Sequence, residues 1–294
     1  MVLYYEQLCE IVKGGVFVPD SRPIGVFDSG LGGLTVLREL EKVLPNENFV
    51  YFGDTGRVPY GNKSNETIIN YARQDENFLL SKNVKYIIAA CGTVSAVAGC
   101  TAEGLSVPFM GVVENSVKDA VNCTKNKRIG VIATSATINN GAHKRLIKTY
   151  LPDAEVITIP CPLFVPLVEE GWVSSEDEVV LSTIKRYLAP LIDAGVDTLI
   201  LGCTHYPVLK SAIRRVIGDD VMLINMGYST AHAVAEELKK LDLLSDNTES
   251  SSREFYVSDV TTAFSKIAKL LLGEEIENDK VNLVDISKYE GCTN

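Results

Sequence analysis

The chain has 294 residues, of which 46% are hydrophobic and 22% charged, as is usual for a folded globular protein. This length exceeds one ordinary α/β domain and predicts two lobes of similar size. The formal net charge of −10 repels polyphosphates, and no dense Lys/Arg cluster reverses it locally, so nucleic acid is not expected as the primary partner. An anionic small molecule stays possible, because backbone N–H groups at helix starts can bind carboxylates.

The cysteines and the N-terminal residues lead us to expect a cytosolic protein. Seven cysteines, with no CxxC pair and no zinc-finger spacing, argue against a disulfide framework or a structural metal and favour the reducing cytosol. The first 22 residues carry an acidic residue before their apolar part and have no sustained apolar core, so they resemble neither a signal peptide nor a membrane span. We interpret residues 1–22 as an extension outside the core fold, and we expect a cytoplasmic protein without membrane contact.

Short apolar runs alternate with longer amphipathic stretches, which is typical of parallel strands covered by helices on both faces. Two early helices are predicted, at Leu34–Val43 and at residues 64–81, with Ser64 as the N-cap of the second. The predicted strands are residues 24–27, 86–90, 109–113, 129–132, 155–159 and 198–201. The predicted class is α/β, with doubly wound, mainly parallel sheets.

Two pairs of segments form a weak internal repeat. IGVFDSG at residues 24–30 is echoed by IGVIATS at 129–135, and YIIAACGT at 86–93 is echoed by TLILGCTH at 198–205. Each half thus has one cysteine, Cys91 or Cys203, just after a strand. Ligands of open α/β sheets bind outside the carboxyl ends of the strands, so two facing halves would bring both cysteines to one cleft.

A cysteine between a strand and a helix lies at the sheet edge, and the helix dipole lowers the pKa of its thiol. Either cysteine alone could still be a small buried core residue, as most free cysteines are. Two cysteines at equivalent places are hard to attribute to packing, and we interpret Cys91 and Cys203 as a functional pair. The remaining cysteines lack this setting and are Cys9, Cys100, Cys123, Cys161 and Cys292.

A polar, glycine-rich turn follows the first strand. It reads Asp28-Ser29-Gly30 and continues to Gly32-Gly33, where glycines let the backbone approach a ligand closely. Asp28 could equally be an ordinary turn residue. The patterns GxGxxG and GxxxxGK[ST] are absent from the chain, so a nucleotide is disfavoured.

Six motifs together resemble bacterial glutamate racemase, a member of the cofactor-independent aspartate/glutamate racemase superfamily. They are FDSGLGG (27–33), VPYG (58–61), CGTVSA (91–96), GVVE (111–114), CPLFVPLVEEG (161–171) and LGCTHYP (201–207). The resemblance covers residues 23–284 approximately and implies two pseudosymmetric lobes with the active site in the cleft between them. It predicts a first lobe of residues 23–115 plus 229–287 and a second lobe of residues 116–228.

The resemblance implies racemisation of glutamate by thiol/thiolate proton transfer at the α-carbon, which supplies D-glutamate for peptidoglycan. Cys91 resembles the base that acts on D-glutamate, and Cys203 the base that acts on L-glutamate. Asp28 and His205 resemble the polar partners of the two thiols, and Glu169 the acidic residue near the second one. The residues that match substrate-binding positions are Ser29, Pro59, Tyr60, Gly61, Gly92, Thr93 and Thr204.

Several of these positions have a plainer alternative. Tyr60 could be a packing aromatic, His205 could be a satisfied histidine at a helix start, and Glu170 could replace Glu169. His143 and His232 lie on predicted helices and are expected at the surface.

One departure from the family pattern is Gly92, because the family usually has asparagine directly after the first cysteine. The side-chain amide that would bind the substrate carboxylate is missing. A Gly92→Asn variant is therefore predicted from the sequence to have a lower KM.

No cofactor is expected, because the resembling family needs none and no lysine stands in an obvious Schiff-base motif. The expected partner is glutamate as a small-molecule substrate, and a homodimer is an open possibility. Two alternatives remain at this level: a racemase of a related amino acid such as aspartate, and a binding or regulatory homologue with impaired catalysis. A cysteine hydrolase would leave the duplicated cysteine unexplained.

Overall fold

The computed structural model describes residues 20–247, 251–260 and 264–290. Most of the predicted N-terminal extension, residues 1–19, lies outside this part of the chain, as do Cys9 and Cys292. The described strands form two sheets, and all strand pairs within both are parallel. The predicted α/β class with mainly parallel sheets is confirmed.

The first sheet has six strands in the order β10-β9-β2-β1-β3-β4. They are β1 Ile24–Asp28, β2 Phe49–Gly53, β3 Tyr86–Ala89, β4 Phe109–Gly111, β9 Arg253–Val257 and β10 Val281–Leu283. The second sheet has four strands in the order β6-β5-β7-β8. They are β5 Arg128–Ala133, β6 Glu155–Pro160, β7 Thr198–Leu201 and β8 Met222–Asn225.

The second sheet repeats the order of β1 to β4, because β5 to β8 occupy the places of β1 to β4. The repeat seen in the sequence is therefore a repeat of strand order. In both sheets the direction of the crossover connections reverses between the first and third strands of the half. Open α/β sheets bind ligands at such a reversal. Every residue of β1, β3 and β7 is buried, as expected for strands covered on both faces.

Eleven helices accompany the strands within the described residues. They are α1 Leu34–Val43, α2 Asn65–Ser81, α3 Gly92–Val97, α4 Val112–Cys123, α5 Ser135–Asn140, α6 Ala142–Tyr150, α7 Phe164–Glu169, α8 Glu178–Asp193, α9 Lys210–Ile217, α10 Met226–Lys240 and α11 Phe264–Leu272. The predicted N-cap of α2 is confirmed, since Ser64 Oγ accepts a hydrogen bond from Thr67 N at 3.2 Å. No helix in the described ranges is long and apolar enough to cross a membrane.

The chain passes between the two sheets twice, through α4 and through α10, and these two helices pack against each other. The predicted boundaries after residues 115 and 228 fall inside these helices. We retain the division into residues 23–115 plus 229–287 and residues 116–228 as a proposal.

Two predictions from the sequence were wrong. The predicted strand 109–113 ends at Gly111, because Val112 and Val113 open α4, whose buried residues at 112, 113, 116, 117 and 120 follow a helical spacing. His143 is buried rather than exposed, and neither ring nitrogen has a hydrogen-bond partner among the described residues. Burial lowers the pKa of His143 to about 4, so its ring is neutral at physiological pH. His232 is exposed, as predicted.

A buried ion pair beside the first sheet connects segments that are far apart in the sequence. Lys85 Nζ lies 2.6 Å from Glu47 Oε2, and both side chains are almost fully buried. The same ammonium donates to the carbonyl oxygens of Asp20 at 2.5 Å and Leu243 at 2.7 Å. The pair thus connects the chain before β1 to the segment that follows α10.

Replacing Lys85 by methionine should lower the free energy of unfolding by roughly 3–5 kcal/mol, because Glu47 would keep a buried charge without its cationic partner and retain only the hydrogen bond from Ser245 N. Urea denaturation of the variant measures this loss. The double variant Lys85→Met/Glu47→Met is the control, and it should recover at least half of the loss. A single variant as stable as the parent chain would contradict the prediction.

Candidate active site

Loops from both sheets contact each other at the carboxyl ends of the central strands. Thr93, just after β3, has its Oγ1 3.1 Å from Oγ1 of Thr134, just after β5. Thr35 Oγ1, near the start of α1, donates to the carbonyl oxygen of Thr204, after β7, at 2.8 Å. Residues that follow central strands of both halves therefore meet where the repeat predicted a cleft.

Cys91 lies between β3 and α3 and is buried. Its thiol donates a hydrogen bond to Ser29 Oγ over 3.4 Å. Burial raises the pKa of the Cys91 thiol to about 12, the negative charge of Asp28 adds to the rise, and the contact with Ser29 opposes it. Cys91 is therefore a protonated thiol at neutral pH, and the lowered pKa expected from its place before a helix was wrong, because burial outweighs the helix.

Asp28 is the last residue of β1 and is only 1% exposed. Its Oδ2 accepts a hydrogen bond from Gly30 N at 3.0 Å, whereas Oδ1 has no hydrogen-bond partner among the described residues. Burial raises the pKa of the Asp28 carboxyl, against the opposing influence of His205 and of neighbouring backbone N–H groups. A buried carboxyl oxygen next to Cys91 is thus available to a further hydrogen-bond donor.

Cys203, His205 and Glu169 form a chain of polar contacts in the second half of the site. Cys203 Sγ lies 3.9 Å from His205 Nδ1, and His205 Nε2 lies 3.2 Å from Glu169 Oε1. Burial alone would lower the pKa of His205, but the contacts with Cys203 and Glu169 outweigh it and raise that pKa to about 10. A protonated His205 places a positive charge beside Cys203 Sγ.

Glu169, rather than Glu170, is the residue whose carboxylate contacts His205. Glu169 is the last residue of α7, and its side chain is 48% exposed. Glu170 is also exposed, and its carbonyl oxygen accepts a hydrogen bond from Lys266 Nζ at 3.5 Å.

Three threonine hydroxyls from the two halves form a hydrogen-bonded cluster. Thr93, Thr134 and Thr137 have their Oγ1 atoms 3.0–3.2 Å apart. The sequence reasoning identified Thr93 but missed the other two. The repeat held the signal for Thr134, because IGVIATS aligned with IGVFDSG puts Thr134 at the place of Ser29.

The loop from Asp54 to Gly61 carries a buried network of charges. The Tyr60 hydroxyl donates to Asp54 Oδ2, and Arg57 binds both Asp54 Oδ2 at 2.5 Å and Asp75 Oδ1 at 3.0 Å. Tyr60 is buried with its hydroxyl engaged, and Pro59 follows a cis peptide bond. Asp54 was missed because it follows β2, a strand that was not predicted. The network fixes the backbone of the VPYG motif.

The glycine-rich turn packs tightly against the loop after β7. A Cβ atom added at Gly32 would lie 2.1 Å from Thr204 Oγ1 and 2.7 Å from the ring of His205. Only glycine fits at position 32, because the backbone there lies so close to Thr204 and His205. This close packing places the turn of Asp28 and Ser29 next to the Cys203 loop. Within the described part of the chain, no group of three or more His, Cys, Asp or Glu side chains is arranged to hold a metal ion.

Comparison with known proteins agrees with this geometry. A profile of the Asp/Glu/hydantoin racemase family matches residues 57–240. The glutamate racemase of Geobacter metallireducens is 45% identical over 256 residues, which cover 87% of this chain and 94% of that protein. The chain belongs to the glutamate racemase family.

Solved structures of the glutamate racemase family have the same fold. The enzyme from Francisella tularensis, in complex with D-glutamate, is 39% identical and superposes with a TM-score of 0.85 over 92% of this chain and 100% of that one. The enzyme from Thermus thermophilus, in complex with β-chloro-D-alanine, is 41% identical with a TM-score of 0.81 over the same shares. The resemblance predicted from the six motifs is therefore confirmed.

The ionisation of His205 should make the stability of this racemase depend on pH. Its folded-state pKa of about 10 exceeds the ordinary value of 6.5, so its stabilising contribution is complete below pH 6.5 and is lost as the pH rises through 10. The free energy of unfolding of His205→Gln should fall below that of the parent by more than about 1 kcal/mol at pH 6, and this difference should shrink towards pH 10. Denaturation at several pH values measures it. His232→Gln, at an exposed position, is the control, and a pH-independent difference for His205→Gln would contradict the assignment.

Proposed function

We propose that the chain interconverts L- and D-glutamate by two-base proton transfer at the α-carbon. The observation that carries the proposal is the pair of buried cysteines, Cys91 and Cys203, at equivalent strand ends of two halves that contact each other. The relatives named glutamate racemase support the substrate. Removing an α-proton and returning one to the opposite face needs a base on each side of the planar carbanion.

The two thiols start in different protonation states. The raised pKa of Cys91 keeps it a thiol, and a two-base mechanism then assigns the role of the base to Cys203, which lies beside the positive charge of His205. From the resemblance, Cys203 removes the proton of L-glutamate and Cys91 delivers a proton to the other face. Each turnover exchanges the two states, and the enzyme then accepts D-glutamate.

Polar groups around the thiols suit the charged ends of glutamate. Asp28 Oδ1, which has no hydrogen-bond partner in the described part of the chain, can accept a hydrogen bond from the substrate ammonium group. The hydroxyls of Thr93, Thr134 and Thr137 can turn their donors towards a carboxylate, because hydroxyl protons rotate freely. Donors to the α-carboxylate stabilise the carbanion as its charge develops. Burial of the site strengthens these interactions.

The other predicted binding residues have more indirect roles in this proposal. Ser29 orients Cys91 by accepting a hydrogen bond from its thiol, and Thr204 borders the site beside Gly32. The Tyr60 hydroxyl is held by Asp54, so residues 59–61 offer the substrate backbone groups rather than the phenol.

Circular dichroism of L-glutamate incubated with the purified protein tests the function. The signal should decay to zero, and L-aspartate under the same conditions should lose its signal at least about tenfold more slowly, as expected when a methylene group fills a fitted pocket. Dialysis against a chelator and treatment with hydroxylamine should leave the rate unchanged. Faster decay of aspartate would favour the alternative substrate, and no decay of either would favour an impaired homologue.

Two further expectations belong with this function. A cytosolic location is supported by the chemistry, because two free thiols must stay reduced to exchange protons. A homodimer stays an open possibility, and light scattering of the purified chain tests it.

A further inference from the structure

A fully buried carboxylate, Asp54, lies just after β2 and holds the loop that carries the VPYG motif. It accepts hydrogen bonds from three side chains. The Tyr60 hydroxyl and Arg57 Nε donate to Oδ2, and the hydroxyl of Ser258, which follows β9, donates to Oδ1 at 2.7 Å. The carboxylate thus joins the VPYG loop to a segment some two hundred residues later in the chain.

Two backbone contacts anchor the start of the same loop. Gly56 N donates to Ser258 Oγ at 2.8 Å, and Asp54 N donates to the carbonyl oxygen of Asp28 at 3.0 Å. Asp28 is the buried acidic residue beside Cys91. The loop is therefore fixed between the residues after β9 and the end of β1, where the candidate active site begins.

Arg57 and Asp75 complete the network on the side of α2. Arg57 Nη2 donates to Asp75 Oδ1 at 3.0 Å, and the guanidinium stacks on the ring of Tyr71, with Cζ 3.9 Å from the ring centroid. Burial and the charge of Asp54 raise the pKa of Asp75 well above its ordinary value, which favours the neutral carboxyl. Asp54 is then the anionic partner of the Arg57 guanidinium.

The far end of the loop lies against the second half of the molecule. A Cβ atom added at Gly61 would lie 3.4 Å from Thr134 Cβ and 3.6 Å from Thr134 Oγ1, which are ordinary contact distances. Thr134 Oγ1 lies 3.1 Å from Thr93 Oγ1. The backbone of residues 59–61 therefore borders the threonine hydroxyls that can receive a substrate carboxylate.

We infer that Asp54 is a positioning residue for substrate binding, which holds residues 59–61 in the conformation in which their backbone groups meet glutamate. The inference rests on the function proposed above. A loop that is already ordered loses less conformational freedom when the substrate binds. When the binding conformation is only partly populated, the apparent affinity falls by that fraction.

This role acts on affinity rather than on proton transfer. None of the side-chain hydrogen bonds of Asp54 involves the segments that carry Cys91 and Cys203. Loss of the carboxylate should therefore leave the two thiols in place and loosen the loop that meets the substrate.

The test is Asp54→Ala, which removes the acceptor of all three donors. KM, and the Kd of glutamate measured by calorimetry, should rise on the order of tenfold or more, the effect of losing a hydrogen bond to a charged group, with kcat within about threefold of the parent. Asp54→Asn should lie between the parent and Asp54→Ala. Its amide oxygen can still accept from Tyr60, and its NH₂ group can donate to Ser258 Oγ.

Asp197→Ala is the matched control. Asp197 also accepts from several donors, among them Thr124 Oγ1 at 2.6 Å and Asn126 N at 2.7 Å, but it precedes β7 and so lies at the end of that strand opposite to Cys203. Its loss should lower the free energy of unfolding in urea and leave KM within about threefold of the parent, as expected for a distant site. An equal rise in KM in both variants would mean that general loss of stability weakens binding, and would contradict the positioning role.

Tyr60→Phe tests whether Asp54 acts through the tyrosine. The variant keeps the buried ring and removes the hydroxyl that donates to Asp54, so KM should rise more than about threefold. In the Asp54→Ala background the same change should raise KM by less than about twofold further, because the contact is already lost. If Asp54→Ala does not fold, Tyr60→Phe decides in its place, and an unchanged KM in that variant would overturn the inference.

The remaining outcomes are also decisive. An unchanged KM in Asp54→Ala, equal losses in Asp54→Asn and Asp54→Ala, or a fall in kcat at constant KM would overturn the positioning role. A parent chain that binds glutamate without racemising it would overturn the proposed function instead, and the calorimetric Kd values would still report on Asp54.

Discussion

Replacing either Cys91 or Cys203 by alanine should abolish racemisation, with a loss of roughly 10³-fold or more. In each variant one face of the α-carbon would lose the group that removes or returns its proton. The surviving thiol should still exchange the α-proton of one enantiomer with solvent. From the resemblance, the chain that keeps Cys91 should exchange D-glutamate, and the chain that keeps Cys203 should exchange L-glutamate. Proton NMR in D₂O measures both reactions.

A matched control for these variants is Cys161→Ala. Cys161 is also fully buried, but its thiol contacts only the carbonyl oxygen of Ile159 among the hydrogen-bond partners in the described residues. Its loss should leave racemisation within about threefold of the parent, since a small buried thiol contributes mainly packing. Full activity in either single variant of the predicted pair would refute the two-base assignment.

Deuterium incorporation by the unsubstituted enzyme tests the same prediction in a second way. Early in the reaction from L-glutamate in D₂O, the D-glutamate formed should carry α-deuterium while the remaining L-glutamate carries almost none. The reason is that the product proton comes from the other thiol, which has equilibrated with solvent. A single base that served both faces would return some of the original proton to the product.

Replacing Asp28 by asparagine should lower kcat/KM by roughly 10²-fold or more, the effect of losing one group that assists proton transfer. Asparagine has the same shape, and its carbonyl oxygen can still accept from Gly30 N. Because two enantiomers have equal free energy in water, the equilibrium constant is unity and kcat/KM must fall equally in both directions. A polarimetric assay from each enantiomer measures the loss.

The same substitution should move the ionisation of Cys91 to lower pH. The charge of Asp28 is one cause of the raised pKa of that thiol, while burial, the larger cause, remains in the variant. The pH dependence of iodoacetamide labelling at Cys91, followed by mass spectrometry in a Cys203→Ala background, measures the shift. An unchanged profile would mean that Asp28 does not act on Cys91 electrostatically.

Local patterns in the sequence determined much of this architecture. Fully buried parallel strands have continuous apolar runs, which is why the central strands β1, β3, β5 and β7 could be predicted. The helix cap at Ser64 depends on a contact with a residue three positions further along the chain, so it could also be predicted from the sequence. The position of Cys91 and Cys203 after equivalent strands came from the internal repeat.

The strands β2, β8, β9 and β10 were not predicted. β10 has three residues and is largely exposed, and β9 begins with exposed charged residues, so neither has a periodicity that distinguishes a strand from a loop. β9 pairs with β2, which lies about two hundred residues earlier in the chain, and β10 pairs with β9. Such an assignment needs contacts that no local window contains.

The tertiary structure alone decided which side chains meet in the cleft. The choice of Glu169 over Glu170 and the burial of His143 depend on packing between segments far apart in the chain, and the contact of Thr93 with Thr134 depends on how the two halves pack together. The sequence determined that two cysteines follow equivalent strands, because strand and turn preferences are local. Distances between the two halves are set by packing of residues far apart in the chain, so they emerged only from the folded molecule.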